Sequence, residues 1–323
     1  MLRSLSVLML SLAALFAASA AWSQQYPSRP VRLIVPAGPG APDSVARILG
    51  QQLTAQMGQA FVIDNRPGAN GIIGADVVAK AAADGLTLLV ASVAFSVNPS
   101  MYRKLPFDAV RDFAPVANIC DQEALFLVVT PSLTAQSVQE LVALAKKTDS
   151  RMSYASMGIG NTMYLAAELF NMRAGTRVVH IPYKGGAAAV AAVMSGEVQM
   201  MLVPAAQSLQ FIKAGRLRAL GYTNRTRAAL LPDVPTMAEA GMSGMEFDGG
   251  WFGMFAPAGT PDPIVAKLAA EIRVALANPQ VQDRLSALGL RPVGSTPDEF
   301  KRFVDAEIKH FAEIVRLTGI QPE

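Results

Sequence analysis

Short apolar runs rich in β-branched residues alternate along the chain with segments whose apolar residues recur at helical spacing. Residues 31–35 show the first pattern, and residues 44–57 show the second, with Val45, Ile48 and Leu53 on one helical face. Further strands are predicted at 61–64, 86–91, 125–130, 153–155, 178–181, 198–203 and 217–221, and further helices at 71–82, 137–147, 162–172, 187–194, 205–214, 263–277, 279–288 and 296–318. This alternation predicts an α/β fold with mainly parallel sheets flanked by helices.

Two places interrupt the alternation. Residues 113–130 contain two apolar runs with no helix between them, and residues 245–256 form a long extended stretch. If both segments carry the chain between lobes, residues 24–121 and 248–323 make lobe 1 and residues 122–247 make lobe 2. Two such hinge crossovers predict a cleft between the lobes, which is a frequent place for a ligand site. The C-terminal helices are expected to pack back on lobe 1.

The composition is that of a globular chain. Its 323 residues are 51% hydrophobic and 16% charged, so the chain can bury a large core. The 28 basic and 25 acidic residues leave a formal net charge of +3 and are scattered along the sequence. Because no Lys/Arg-rich run is present to neutralise phosphates, nucleic acid is not an expected partner.

The N-terminal residues have the features of an export signal. Arg3 precedes an apolar run over residues 5–18, and Ala21 and Ser23 supply small residues at the −3 and −1 positions of a cleavage site. The run is shorter than the roughly 20 residues that a membrane-spanning helix needs. We therefore expect a cleavable signal peptide over residues 1–23, with a retained N-terminal anchor as the alternative.

Cys120 is the only cysteine. A disulfide within the chain and a four-cysteine zinc site are therefore excluded, and no cysteine lies near the signal to accept a lipid. The exported product is expected to be a periplasmic, non-lipidated monomer, in which Cys120 is a small buried hydrophobe.

Two glycine-rich loops each join a predicted strand to a predicted helix. In the first loop, residues 36–43 (PAGPGAPD), Gly38 and Gly40 permit close approach of a ligand and Asp43 is placed to cap the helix. The second loop, residues 156–162 (SMGIGNT), has the same form. Because free N–H groups at a helix start attract anions, two such loops facing each other across a cleft would hold a small anion. The alternative for each is a simple tight turn.

Two further segments have two possible uses each. Residues 92–99 are predicted to form a polar loop at the same edge of the first sheet, where it either joins the cleft or is a turn stabilised by Asn98. Trp251 lies in the second crossover, where it either stacks on a ligand or packs in the hinge.

Groups of residues typical of catalysis are missing. His180 and His310 lie far apart in the sequence, and no H-E-x-x-H, G-x-S-x-G or metal-ligand motif occurs. The enzyme hypothesis with most support is a nicotinamide-dependent oxidoreductase, with the turn at 38–40 on the phosphates and Asp64 on the ribose. Asp43 stands where that fingerprint requires a third glycine, so no cofactor and no metal are expected.

Ordered blocks of sequence extend from Tyr26 to the C-terminus. They include YPSRPVRLIVP at 26–36, VIDNRPGANGIIGADVVAKAAADG at 62–85, SYASMGIGNTMYLAAELF at 153–170 and WFGMFAPAGTP at 251–261. These blocks resemble the periplasmic receptors of the tripartite tricarboxylate transporter family, also called Bug receptors. The resemblance implies a two-lobed, type II-like periplasmic binding protein that closes on a small carboxylate. It also implies docking on membrane permease subunits or a signalling partner.

The resemblance further implies that loop amides, hydroxyls and waters from both lobes hold the carboxylate. The implied ligand-binding residues are Ala37, Gly38, Gly40, Asp43, Ser92 and Ser96 in lobe 1, and Ser156, Gly158, Gly160, Asn161 and Thr162 in lobe 2.

Two departures from the family pattern bear on the ligand. The first loop has Gly38-Pro39-Gly40 where relatives have a Gly-Gly pair after a longer lead. Many relatives carry an aspartate after the strand at 198–203, whereas this chain has Pro204, which we add to the expected site residues. The expected ligand is a di-, tri- or aromatic carboxylate without an ammonium group, and the less polar pocket favours a bulky one. The alternatives are an exported sensor without a transporter and the oxidoreductase.

Overall fold

The computed structural model describes residues 26–147, 151–247 and 249–322. The predicted signal peptide at 1–23 lies outside the described residues. The strands are β1 Val31–Val35, β2 Phe61–Asn65, β3 Thr87–Ser92, β4 Phe113–Gln122, β5 Leu125–Val129, β6 Ser153–Ser156, β7 Val179–Pro182, β8 Met200–Pro204, β9 Arg218–Tyr222, β10 Gly250–Pro257 and β11 Leu290–Pro292. The helices are α1 Ala41–Met57, α2 Ile72–Ala79, α3 Ala94–Met101, α4 Val138–Ala145, α5 Thr162–Ala174, α6 Gly186–Ser195, α7 Ala205–Lys213, α8 Asp262–Ala277, α9 Pro279–Ala287 and α10 Pro297–Thr318.

These strands form two sheets. The first has the order β11-β4-β10-β3-β1-β2 and the second the order β7-β6-β8-β5-β9. Both are mixed: β1 is parallel to β2 and β3, but β10 is antiparallel to β3 and β4. In the second sheet β6 is parallel to β7 and β8, whereas β5 is antiparallel to β8 and β9. The α/β expectation is confirmed, and the expectation of mainly parallel sheets is corrected.

The antiparallel pairs arise where the chain passes between the sheets. Strand β4 ends at Gln122 in the first sheet, and after Glu123 and Ala124 the chain enters the second sheet as β5. It returns as β10, which begins at Gly250 and lies between β3 and β4. Because these crossing strands are not delivered by a strand-helix-strand connection, they need not run parallel to their neighbours.

Residues 92–99 are not the polar loop that the sequence predicts, because α3 occupies most of that segment. Phe95 and Val97 are buried on α3, and the Phe95 ring packs on Phe113 and Phe255 with centroids 5.0 and 4.5 Å apart. This packing outweighs the low helix propensity of Pro99 inside the helix.

Helix α10 contributes to both hydrophobic cores. Phe300 and Val304 pack among the aromatic residues beneath the first sheet, whereas Phe311 and Ile314 belong to the core of the second sheet. Helix α10 therefore packs on the first sheet as expected and in addition reaches the core of the second sheet. Its length of 22 residues lets one amphipathic helix reach both sheets.

Cys120 is fully buried on β4, and burial raises the pKa of its thiol. It is the small core residue that the sequence predicts. Within the described part of the chain, no helix combines the length and apolar character needed to cross a bilayer.

Candidate functional site

A cavity of about 700 Å³ lies between residues of the two sheets and their connecting loops. Its wall is built from the ends of strands, the starts of helices and the two crossings. The lining residues are Ala37, Gly38, Pro39, Gly40, Ala41, Pro42, Asn70, Ser92, Val93, Ala94, Gln122, Met157, Asn161, Thr162, Met163, Gly185, Gly186, Ala187, Val190, Met194, Pro204, Ala206, Gln207, Gln210, Phe211, Gly249, Gly250, Trp251 and Phe252.

None of these lining residues carries a formal charge at neutral pH. The polar side chains in the wall are Asn70, Ser92, Gln122, Asn161, Thr162, Gln207 and Gln210. Within the described ranges, no group of three His, Cys, Asp or Glu side chains is placed to hold a metal ion. An anion in this cavity must therefore be bound by neutral donors.

Five helices start at the cavity wall. The first residues of α1, α3, α5, α6 and α7, or the residues that precede them, are part of the lining. The first-turn N–H groups of a helix have no acceptor within the helix, and its N-terminus carries about half a positive charge. Five such ends around one cavity make an uncharged wall attractive to an anion.

Four of the five cavity helices start without a side-chain cap. Helices α1, α3, α6 and α7 have no side-chain cap, and their N-cap residues are Gly40, Val93, Gly185 and Pro204. Of the helices that start outside the cavity lining, α4, α9 and α10 are capped by Ser, Asn or Thr side chains, whereas α2 and α8 are not. Of the five cavity helices, α5 alone has such a cap, from Asn161 to the Tyr164 N–H. The starts of these four helices therefore leave first-turn amides that no protein side chain caps, although Pro42 removes one N–H from α1.

Asp43 does not line the cavity. Its carboxylate accepts hydrogen bonds from Arg47 Nε and Asn65 Nδ2, each at 2.9 Å. The Arg47 hydrogen bond is the main reason that the pKa of Asp43 is lowered. Asp43 is not the cap of α1 either, because Gly40 holds that position. Its role is to tie the first turn of α1 to the end of β2, which fixes the loop before it.

Of the other expected site residues, the structure brings Ala37, Gly38, Gly40, Ser92, Asn161, Thr162 and Pro204 together in the wall. Ser96, Ser156, Gly158 and Gly160 do not line the cavity. Ser96 faces inward from α3 and is fully buried. Ser96 affects the cavity only as part of α3, and the other three residues only as part of the second glycine-rich loop.

Ser156 is fully buried and lies 2.7 Å from His180 Nε2 through its Oγ. The Ser156 Oγ also accepts from the Gly158 N–H at 3.0 Å. The imidazole packs against the rings of Tyr154 and Tyr164, with centroids 5.0 and 4.8 Å away. This pair orders the second glycine-rich loop. Because Ser156 lines none of the cavity, the pair is not arranged as a nucleophile and its base.

Burial lowers the pKa of His180, so the folded protein keeps this imidazole neutral at pH values where the unfolded chain binds a proton. We expect the free energy of unfolding to fall as pH drops through about 6.5, the ordinary histidine value. A His180→Gln variant should lose this part of the pH dependence, measured by urea unfolding at pH 5.5 and 8. His310→Gln is the control. An unchanged slope in His180→Gln would contradict the assignment.

Several wall residues escaped the sequence analysis, most clearly Asn70, Gln122 and Gln207. Asn70 has φ of 49°, in the left-handed region that Asn tolerates better than most residues. Its Nδ2 donates to Asn98 Oδ1 at 2.8 Å and approaches the Gly160 carbonyl at 3.5 Å, so it joins the two sides of the cavity. The only sequence signal for Asn70 is the turn-forming segment Gly-Ala-Asn at residues 68–70.

The positions of Trp251 and Asp64 bear on two alternatives from the sequence: ligand stacking or hinge packing for Trp251, and ribose binding for Asp64. Trp251 is 1% exposed, packs edge-on against Phe300 with centroids 5.5 Å apart, and also lines the cavity. It is therefore primarily a packing residue. Asp64, the proposed ribose ligand of an oxidoreductase, lies outside the wall and pairs with Arg32 at 2.7 Å and Arg66 at 2.9 Å.

The two mixed sheets, the two crossings and the cavity between them define a periplasmic binding protein fold, and the comparisons with known proteins agree. The sequence model of the protein family described as the tripartite tricarboxylate transporter family receptor matches residues 45–320. The chain therefore belongs to this family, as its sequence blocks predict. The family is one of solute-binding receptors rather than enzymes.

Solved structures give the same result. Periplasmic binding protein BugD is 32% identical, with a TM-score of 0.80 over 92% of this chain and 100% of its own. An R. palustris protein solved with adipate is 34% identical, with a TM-score of 0.82 over 92% and 100%. MatC from Rhodopseudomonas palustris, with bound malate, is 31% identical, with a TM-score of 0.78 over 90% and 100%.

Proposed function

We propose that this protein is a periplasmic receptor that captures a small carboxylate in the cavity and delivers it to a permease of the tripartite tricarboxylate type. The observation that carries the proposal is the convergence of five helix N-termini, four of them without a side-chain cap, on a wall without charged residues. Adipate and malate in related structures support a carboxylate as the ligand class.

In this proposal residues 24–121 and 248–323 form one lobe and residues 122–247 the other. The ligand shifts an equilibrium between open and closed forms, and only contacts that are better in the closed form contribute to that shift. The first-turn N–H groups of the cavity helices lack acceptors within their helices. The carboxylate oxygens of the ligand accept hydrogen bonds from these groups in both lobes at once. Asn70 reaches the Gly160 carbonyl across the same gap and supports the closed form.

The direct test is thermal unfolding of refolded, ligand-free protein against tricarboxylates, dicarboxylates, amino acids, aromatic acids and nicotinamide dinucleotides. A specific ligand at about 100 times its dissociation constant adds roughly 2.7 kcal/mol of stability. We expect stabilisation by carboxylates without an ammonium group, because the wall offers no Asp or Glu to pair with one. Stabilisation by dinucleotides alone would refute the proposal, and preferred binding of glutamate or aspartate would refute its ligand class.

A further inference from the structure

The cavity has a markedly apolar side. Met157, Met163, Val190, Met194 and Phe211 all line it, and all lie in the part of the chain that builds the second sheet. We call these five residues the apolar wall. Val190 and Met194 are one helical turn apart on α6, so their side chains share a face. The glycine and proline residues of the loop at 37–42 belong to the part of the chain that builds the first sheet.

Methionine and phenylalanine suit a bulky apolar partner. Met side chains are flexible and polarisable and make favourable contacts with aromatic rings. The Arg216 guanidinium lies over the Phe211 ring, with its Cζ 5.7 Å from the ring centroid. At about 700 Å³ the cavity is in the upper part of the range of roughly 300–1,000 Å³ for pockets that hold drug-sized molecules.

Three of the polar side chains in the wall already use their donors inside the protein. The Asn70 amide donates to Asn98, the Asn161 amide donates to the Gly158 carbonyl, and the Thr162 hydroxyl donates to the Gly249 carbonyl. The other side-chain donors of the cavity lining are all neutral: Ser92, Gln122, Gln207, Gln210 and the Trp251 indole. A second carboxylate on the ligand would therefore find no cationic partner in the lining and would lie beside the apolar wall. Burying a charge without partners is costly.

We infer that the ligand is a monocarboxylate with a bulky apolar body, of the size of an aryl-alkanoate. This inference rests on the proposed function, because the carboxylate is bound by the helix starts described above. The apolar body contacts the apolar wall. The ligand thus differs in class from the adipate and malate of the related structures.

The test uses three probes of similar length: 3-phenylpropanoate, adipate and the uncharged 3-phenylpropanamide. Dissociation constants are measured by calorimetry on the full protein after unfolding and refolding to remove any carried ligand. We expect 3-phenylpropanoate to bind at least tenfold more tightly than adipate and than the amide. Adipate binding as tightly as 3-phenylpropanoate would overturn the inference and leave the proposed function standing. Equal binding of the amide would overturn both. Binding of neither 3-phenylpropanoate nor adipate would overturn the inference alone, because the wider carboxylate panel decides the proposed function.

A variant of the apolar wall tests where the apolar body of the ligand binds. Met194→Gln keeps the length of the side chain but makes this part of the apolar wall polar. We expect it to weaken 3-phenylpropanoate severalfold and to leave adipate within about twofold. Met57→Gln, at the end of α1 and outside the cavity lining, is the matched control and should change neither constant. Equal loss for both probes in Met194→Gln would contradict the placement of the apolar body.

Discussion

The Gln207→Glu substitution is expected to weaken carboxylate binding by about two orders of magnitude while the protein stays folded. Gln207 lies in the first turn of α7 and lines the cavity, and its Oε1 is buried without a hydrogen-bond partner among the described residues. The change is nearly isosteric and adds one negative charge. Two unit charges about 5 Å apart repel by roughly 3 kcal/mol at an effective dielectric constant of about 20, which is about a hundredfold in affinity.

The same substitution should destabilise the ligand-free protein only modestly, because the favourable interaction of a first-turn carboxylate with the helix dipole offsets part of the cost of placing a charge at this partly buried position. The measurement is therefore calorimetric affinity together with urea unfolding without ligand. Gln280→Glu is the matched control, since Gln280 is an exposed residue in the first turn of α9, away from the cavity. Retained carboxylate binding in Gln207→Glu would mean that the anion is not bound in this cavity.

Most secondary structure could be predicted from local sequence because each predicted segment carries its own signal. The run at 31–35 and the apolar face of α1 are examples, and β1 has the predicted bounds. Helix α3 was missed because Ser96, Asn98 and Pro99 make its sequence look like a loop. Its helical state depends on Phe95, whose aromatic partners lie far along the chain. Local propensity cannot include such long-range packing.

The residues of the candidate site could be predicted only where they lie in a loop with a recognisable sequence pattern. Glycine-rich turns before helices pointed to Gly38, Gly40 and Asn161, all of which lie in the wall. Helices α6 and α7 also start at the cavity, but their convergence with α1 depends on the order of strands in two sheets. Gln207 carries no sequence signal, since it becomes a wall residue only through that convergence. The absence of side-chain caps is visible in sequence but gains meaning only in the fold.

Phe300→Ala is expected to cost about 3–5 kcal/mol of unfolding free energy, as for other fully buried phenylalanines. Phe300 is completely buried, and its ring packs on Phe255 with centroids 4.9 Å apart. The ring also fills the space above Gly253, where an added Cβ would lie only 2.1 Å from its Cζ. Removal of the ring leaves a cavity at the strand that the chain uses to return from the second sheet. Urea unfolding followed by circular dichroism measures the loss.

Phe303→Ala is the control, because Phe303 lies on the same helix and is only partly buried. We expect it to cost clearly less than Phe300→Ala, and a comparable cost would contradict a central role for the Phe300 ring. Phe300→Ala should also weaken ligand binding, because Phe300 supports Trp251, which lines the cavity. Helix α10 packs in the cores of both sheets, so its loosening affects the surroundings of the cavity from two sides. Unchanged affinity in a destabilised Phe300→Ala protein would show that the wall at Trp251 is held independently of α10.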